Sequence, residues 1–149
     1  ALPISIMYYL AYGMNTNKGQ MAWRCPRARS LGKVDLDGYK LAFKQYCDVV
    51  PHPTSKTECV LWDITPECER SLDLLEGYPD FYGKKEVEVK YKGRKIRAMI
   101  YYMTDHYGYG HPSESYLNTV IEGYLENKVS VYQLNQALEE LDNEYYIGN

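Results

Sequence analysis

The stretch Lys85-Glu86-Val87-Glu88-Val89-Lys90-Tyr91 alternates charged and apolar residues, turns at Lys92-Gly93, and resumes through Arg94 to Met103. A period of two puts Val87, Val89 and Tyr91 on one face and Glu86, Glu88 and Lys90 on the other, so the segment reads as a β-hairpin. Immediately upstream, Thr65-Pro66 opens a helix, because Thr can cap free amides and Pro at the first helical position gives up an amide that has no partner. Cys68, Leu72 and Leu75 follow at i, i+4 and i+7, and Gly77 supplies the stop, which places Glu76 at the helix end. Further back, Glu58 to Ile64 reads as a short strand and Val50 to Thr57, with two prolines, as a loop. Leu31 to Phe43 reads as a hairpin-like or bulged strand pair around Asp37-Gly38.

Near the start, Met7 to Tyr12 is a buried strand that ends in Tyr12-Gly13-Met14-Asn15, where Gly and Asn license the positive φ angles of a tight turn. A loop or short helix spans Asn17 to Cys25. Downstream of the hairpin, Asp105 to Pro112 is a Tyr/Gly-rich loop, with a lid over a site as the alternative reading of Tyr107 to His111. It opens into a helix carrying Leu117, Val120, Ile121, Tyr124 and Leu125. A last helix starts at Ser130 with Gln133 in capping-box spacing and buries Leu134, Ala137, Leu138 and Leu141. Strands come first and helices cluster late, which predicts an α+β domain built on an antiparallel sheet or barrel.

The chain has 149 residues, 45% hydrophobic and 25% charged, an ordinary composition for one globular domain. That domain is expected over residues 7–149, with Met7 reading as a native start and residues 1–6 as a non-native or disordered extension. A formal charge of -3 attracts neither phosphate backbones nor anionic membranes, so no nucleic-acid and no membrane partner is expected. The local excess of seven Lys and Arg over two Glu between Lys84 and Arg97 reads as a solvated hairpin face rather than a strand-binding surface. No run approaches a membrane span and no basic leader precedes Met7, which predicts a cytoplasmic protein. Cys25, Cys47, Cys59 and Cys68 match no Cys-x-x-Cys pair or zinc spacing and read as four reduced, mostly buried thiols. His52, His106 and His111 lie in loops, none at helical i, i+4 spacing, so no metal site is expected. Gly-x-Ser-x-Gly and phosphate-loop patterns are absent.

Two stretches exceed the needs of connection. Tyr9-Leu10-Ala11-Tyr12-Gly13-Met14-Asn15 resembles the Tyr-Phe-Ala-Tyr-Gly-Ser-Asn of gamma-glutamylcyclotransferases, including bacterial AIG2-like members. Leu72-Asp73-Leu74-Leu75-Glu76-Gly77-Tyr78-Pro79 is similar to the family's Leu-Asp-x-x-Glu-Gly-Tyr-Pro. Met21, Arg24-Cys25-Pro26, Leu31-Gly32, Gly38-Tyr39 and Leu41-Ala42-Phe43 lie between them in the family's order, and Pro112-Ser113-Glu114-Ser115-Tyr116 resembles its Pro-Ser-x-x-Tyr.

The resemblance implies a small mixed or antiparallel β-barrel with flanking helices. It also implies a cofactor-independent reaction in which a γ-glutamyl group's own α-amine attacks its γ-carbonyl, releasing 5-oxoproline and a free amine. Glu76 matches the general acid/base, and a helix-end carboxyl in an apolar surround has a raised pKa suited to that task. Tyr9, Leu10, Ala11, Tyr12, Gly13 and Met14 match the substrate-binding loop, while Tyr82 and Tyr116 match pocket tyrosines. Met14 departs from the family, which has Ser there, and keeps a backbone amide while losing a hydroxyl. The alternative is a catalytically inactive protein that binds a small ligand or a partner on the same scaffold. The leaving amine and the oligomeric state stay open.

Overall fold

The computed structural model describes residues 6–104 and 107–147. Residues 1–5 of the expected extension, and Asp105 and His106 of the Tyr/Gly-rich loop, lie outside the described residues. Five strands form one sheet in the order β2-β3-β1-β5-β4, with β1 at Met7–Ala11, β2 at Arg29–Lys44, β3 at Tyr46–Ile64, β4 at Tyr82–Tyr91 and β5 at Arg94–Met103. Helices α1 (Lys18–Arg24), α2 (Pro66–Glu76), α3 (Glu114–Glu126) and α4 (Tyr132–Ile147) flank it. The α+β class agrees with the sequence reading. The barrel is open, because no ladder joins the edge strands β2 and β4 among the described residues.

The short strand β1 sits at the centre, antiparallel to β3 from Met7↔Ile64 to Ala11↔Val60 and parallel to β5 at Tyr9↔Met99. A central strand is covered on both faces, which is why Tyr9, Leu10 and Ala11 are all buried. Chain continuing from β1 therefore emerges at the middle of the sheet end, between β3 and β5. The β4–β5 hairpin forms as its alternation predicts, with Lys92 and Gly93 both at positive φ in the reversal.

Four expectations change. Val50 to Thr57 belongs to the 19-residue strand β3, paired with β2 at Tyr39↔Pro51 and Asp37↔Lys56. Residues 52–55 swell out of that ladder opposite Gly38 at φ 82°, so Asp37-Gly38 marks a bulge inside one strand rather than a hairpin. Gln133 does not close a capping box on Ser130. Its amide pairs with both main-chain groups of Glu58 at 2.8 and 2.9 Å, docking α4 onto β3, while Ser130 Oγ accepts the Tyr132 amide. Cys25 and Cys68 form a disulfide with Cα atoms 5.1 Å apart, leaving Cys47 and Cys59 as buried free thiols. Spacing alone did not reveal the bridge because it joins the ends of two helices that only tertiary packing brings together.

No helix among the described residues is long and apolar enough to cross a membrane. The basic hairpin face is partly neutralised within the fold. Lys84 pairs with Glu69 and Asp73, Arg97 with Glu86, and Lys85 lies over the Tyr39 and Tyr102 rings.

Candidate active site

The turn that follows β1 is a single 3-10 turn, Met14–Thr16, held by Thr16 Oγ1 and the Thr16 amide, both donating to the Gly13 carbonyl at 2.7 and 3.1 Å. The positive φ expected there is absent: Gly13 has φ -124°. Glycine is required for a different reason. A Cβ on residue 13 would stand 2.9 Å from Cys47 Cβ and 3.1 Å from the Tyr116 hydroxyl. Close approach of the turn to β3 and α3 excludes any side chain. The amides of Gly13, Met14 and Asn15 have no partner among the described residues, as befits the start of a helical turn.

Helix α2 brings Glu76 to the same place. Thr65 caps it through the Cys68 amide, and Gly77 ends it in the left-handed conformation at φ 64°, with its amide reaching back to the Asp73 and Leu74 carbonyls. Lys84 holds the outer face of α2 through Glu69 and Asp73, and the Tyr101 hydroxyl donates to Asp73 at 2.6 Å. The last residue of α2 is therefore fixed against the end of the sheet.

Glu76 meets the turn through Asn15, whose Nδ2 donates to Glu76 Oε1 at 3.1 Å and to the Tyr9 hydroxyl at 3.0 Å. Arg24, the last residue of α1, donates to Asn15 Oδ1 at 2.8 Å and fixes the amide's orientation. Burial pushes the Glu76 carboxyl above its ordinary pKa, opposed by the Arg24 charge and the Asn15 hydrogen bond. A carboxyl whose pKa is raised by burial and which still accepts a hydrogen bond has the chemistry that a general acid/base requires. Burial and the facing Glu76 charge hold the Tyr9 phenol protonated.

These groups line one cavity of about 270 Å³, together with Tyr12, Met14, Tyr46, Cys47, Leu75, Phe81, Tyr82, Tyr101 and Tyr116. Of the sequence-predicted residues, Tyr9, Tyr12, Gly13, Met14, Glu76, Tyr82 and Tyr116 come together here. Leu10 and Ala11 do not: both are buried in the sheet away from the cavity lining. The tyrosines divide by what their hydroxyls already do. Tyr82 donates to the Cys47 carbonyl and Tyr12 to the Tyr101 carbonyl, so those hydrogens are committed. Tyr9 accepts from Asn15 and Tyr116 accepts from the Cys47 amide, which leaves each a hydrogen for a ligand. The Cys47 thiol is pushed by burial up to about 12 and stays neutral.

The sequence reading passed over Asn15 and Arg24 as functional, although both stand inside stretches quoted for the resemblance. Phe81 stands beside Tyr82 in the stretch after α2 that resembles the family, whereas Tyr46 and Tyr101 carried no local signal of a role. The Tyr/Gly-rich loop is pinned at its end, with the Gly110 amide on the Phe43 carbonyl and the Gln45 amide on the Gly110 carbonyl.

The site is thus a cup at the end of the central strand of an open sheet in an α+β domain, walled by a helix-end carboxyl. The model of the family described as gamma-glutamyl cyclotransferase, AIG2-like, matches residues 9–120, and the chain belongs to that family. A solved structure named gamma-glutamyl cyclotransferase superposes with a TM-score of 0.78 at 26% identity, covering 93% of this chain and 87% of that one. A human protein described as uncharacterized gives 0.79 at 26% identity over 93% and 88%. YkqA from Bacillus subtilis, at 19% identity, shares the fold with a TM-score of 0.75 over 93% of this chain and 55% of its own. No curated protein matches the chain.

Proposed function

We propose that the protein is a cofactor-independent cyclotransferase that releases 5-oxoproline and a free amine from a γ-glutamyl compound, with Glu76 as general acid/base. The observation that carries this reading is the single cavity in which the raised carboxyl of Glu76 faces, through Asn15, a turn whose first amides have no internal partner. The α-ammonium of the glutamyl group gives a proton to the Glu76 carboxylate, and the freed nitrogen attacks the γ-carbonyl carbon. The Gly13–Asn15 amides and the Tyr116 hydroxyl receive the developing oxyanion. The bond from that carbon to the departing nitrogen then breaks as Glu76 returns the proton to that nitrogen, and the ring nitrogen sheds its second proton through Glu76 to the released amine, which leaves as an ammonium beside the neutral lactam. Nucleophile and electrophile share one molecule, so holding the chain folded supplies most of the rate.

Release of 5-oxoproline from a panel of γ-glutamyl compounds, by wild type and by Glu76→Gln, tests the reading. No release from any compound, or undiminished release by the variant, overturns it. The second reading, an inactive binding protein on this scaffold, is favoured by one feature: Met14 lines the cavity where the family has Ser. Binding of γ-glutamyl compounds with no product would select it. A cytoplasmic location fits small γ-glutamyl substrates, and the Cys25–Cys68 bridge stands against it, because structural disulfides persist mainly outside reducing compartments.

A further inference from the structure

The cavity is graded from floor to mouth. Tyr9, Tyr12 and Tyr82 at its floor are nearly inaccessible, whereas Tyr46 and Leu75 at its edge expose 43% and 46% of their surface. The floor holds the hydroxyls, the Asn15 amide and Glu76. The mouth holds rings: Tyr46 stands edge-on to Phe81 at 5.7 Å and to Tyr116 at 5.3 Å, and Phe81 meets Tyr107 at 4.5 Å. Arg24 and Glu76 are the charged side chains of the lining, and Arg24 is tied to Asn15.

From this gradient we infer that the amine released by this protein carries an apolar, preferably aromatic, substituent, seated against Tyr46, Phe81 and Leu75. The inference rests on the cyclotransferase reading and adds the acceptor half of the substrate. The glutamyl head brings an ammonium, a carboxylate and the reacting carbonyl, so it belongs with the polar floor and the base. The departing amine then points outward, into the rings. An acceptor bearing its own carboxylate finds rings rather than a cation among the lining residues at the mouth, with Arg24 held to Asn15, and loses part of its hydration there without a charged partner. An aromatic substituent instead completes the edge-to-face set that Tyr46 and Phe81 leave open on their exposed sides.

The test compares kcat/KM for 5-oxoproline release from γ-glutamyl-phenethylamide, γ-glutamyl-methylamide and γ-glutamylglycine. The phenethylamide is expected to exceed the methylamide by at least roughly tenfold, the lower end of discrimination by a single apolar contact, and γ-glutamylglycine to fall below both. In Tyr46→Ala and Phe81→Ala the ratio of phenethylamide to methylamide is expected to fall toward one. Tyr46 is half exposed, so its variant does not threaten folding. A ratio near one in wild type, an unchanged ratio in both variants, or a preference for γ-glutamylglycine overturns the inference while leaving the reaction standing. If none of the three releases 5-oxoproline, the reaction itself fails. Calorimetric affinities of the same three compounds for Glu76→Gln protein then decide the acceptor question separately, since equal affinities overturn it and a phenethylamide preference upholds it.

Discussion

Replacing Gly13 by Ala probes the closest packing around the cavity. The added Cβ would lie 2.9 Å from Cys47 Cβ, 3.3 Å from its sulfur and 3.1 Å from the Tyr116 hydroxyl. Carbon atoms rest at about 3.5–4.0 Å, so the turn and β3 must separate by about 0.6–1.1 Å. Cys47 is poorly placed to yield: its amide is held by Tyr116, its carbonyl accepts from Tyr82, and the next residue, Asp48, is bound by Lys44 and the Met103 amide. Overpacking of this kind costs about 1–3 kcal/mol, and the stiffer unfolded chain of Ala returns at most about 1 kcal/mol. A net destabilisation of about 1–2 kcal/mol is expected. On the proposed reaction the functional effect is larger, because the oxyanion is assigned to the turn amides and a displacement near 1 Å lowers rates by about 10²-fold. Urea unfolding and steady-state 5-oxoproline release measure the two effects on one preparation. A Gly13→Ala protein with wild-type stability and wild-type kcat/KM would refute the packing argument and the placement of the oxyanion at this turn.

Glu76→Gln is expected to lower kcat by about 10²–10⁴, the usual contribution of a positioned acid/base, without loss of fold. The same variant should be more stable than wild type at pH 7. Burial raises the folded-state pKa of Glu76, so its contribution is fully present below the unfolded carboxylate value of about 4.3 and is lost as pH rises through the folded value. Thermal melts should show the gap closing in acid, and a less stable variant at pH 7 would contradict the burial of that carboxyl. Arg24→Met removes a charge that lowers the Glu76 pKa, so the acid limb of the kcat/KM profile should move to higher pH, while Arg24→Lys keeps it in place. Reducing the Cys25–Cys68 bridge reopens a 43-residue separation and should cost about 4 kcal/mol by loop entropy, read as a lower urea midpoint with reductant present.

Local chemistry was legible where one element decides its own form. The β4–β5 hairpin follows from alternation and Lys92-Gly93, and α2 follows from Thr65-Pro66 at one end and Gly77 at the other. Reading failed where a distant partner decides. Pro51 lies in a strand because Tyr39 pairs with it, and the prolines' irregularity is absorbed by the swelling at residues 52–55. Gln133 abandons its own helix start because the Glu58 main chain offers both a donor and an acceptor. Within the site, Glu76 was visible through its flanking residues. The Arg24-Asn15-Glu76 chain was not, since it exists only once α1 and α2 are packed side by side. The Ser71 hydroxyl on the Arg24 carbonyl and the Cys25–Cys68 bridge accomplish that packing.

The Met at position 14 separates the work of the backbone from that of the side chain. Residues 13 and 16 set the shape of the turn, because both Thr16 groups bind the Gly13 carbonyl and neither bond involves the residue 14 side chain. The place of its amide in the turn therefore does not depend on which residue stands there. The hydroxyl hydrogens free to meet a ligand belong to Tyr9 and Tyr116, on β1 and α3, so a ligand's polar atoms have donors without a serine. What the thioether adds is apolar surface to a lining that also includes Leu75 and Phe81. The departure from the family thus changes the apolar lining and leaves in place Glu76 and Asn15, the groups to which the proposed reaction assigns the proton. On the proposed reaction, an exchange of this kind is expected to change which amide is cleaved more than whether one is.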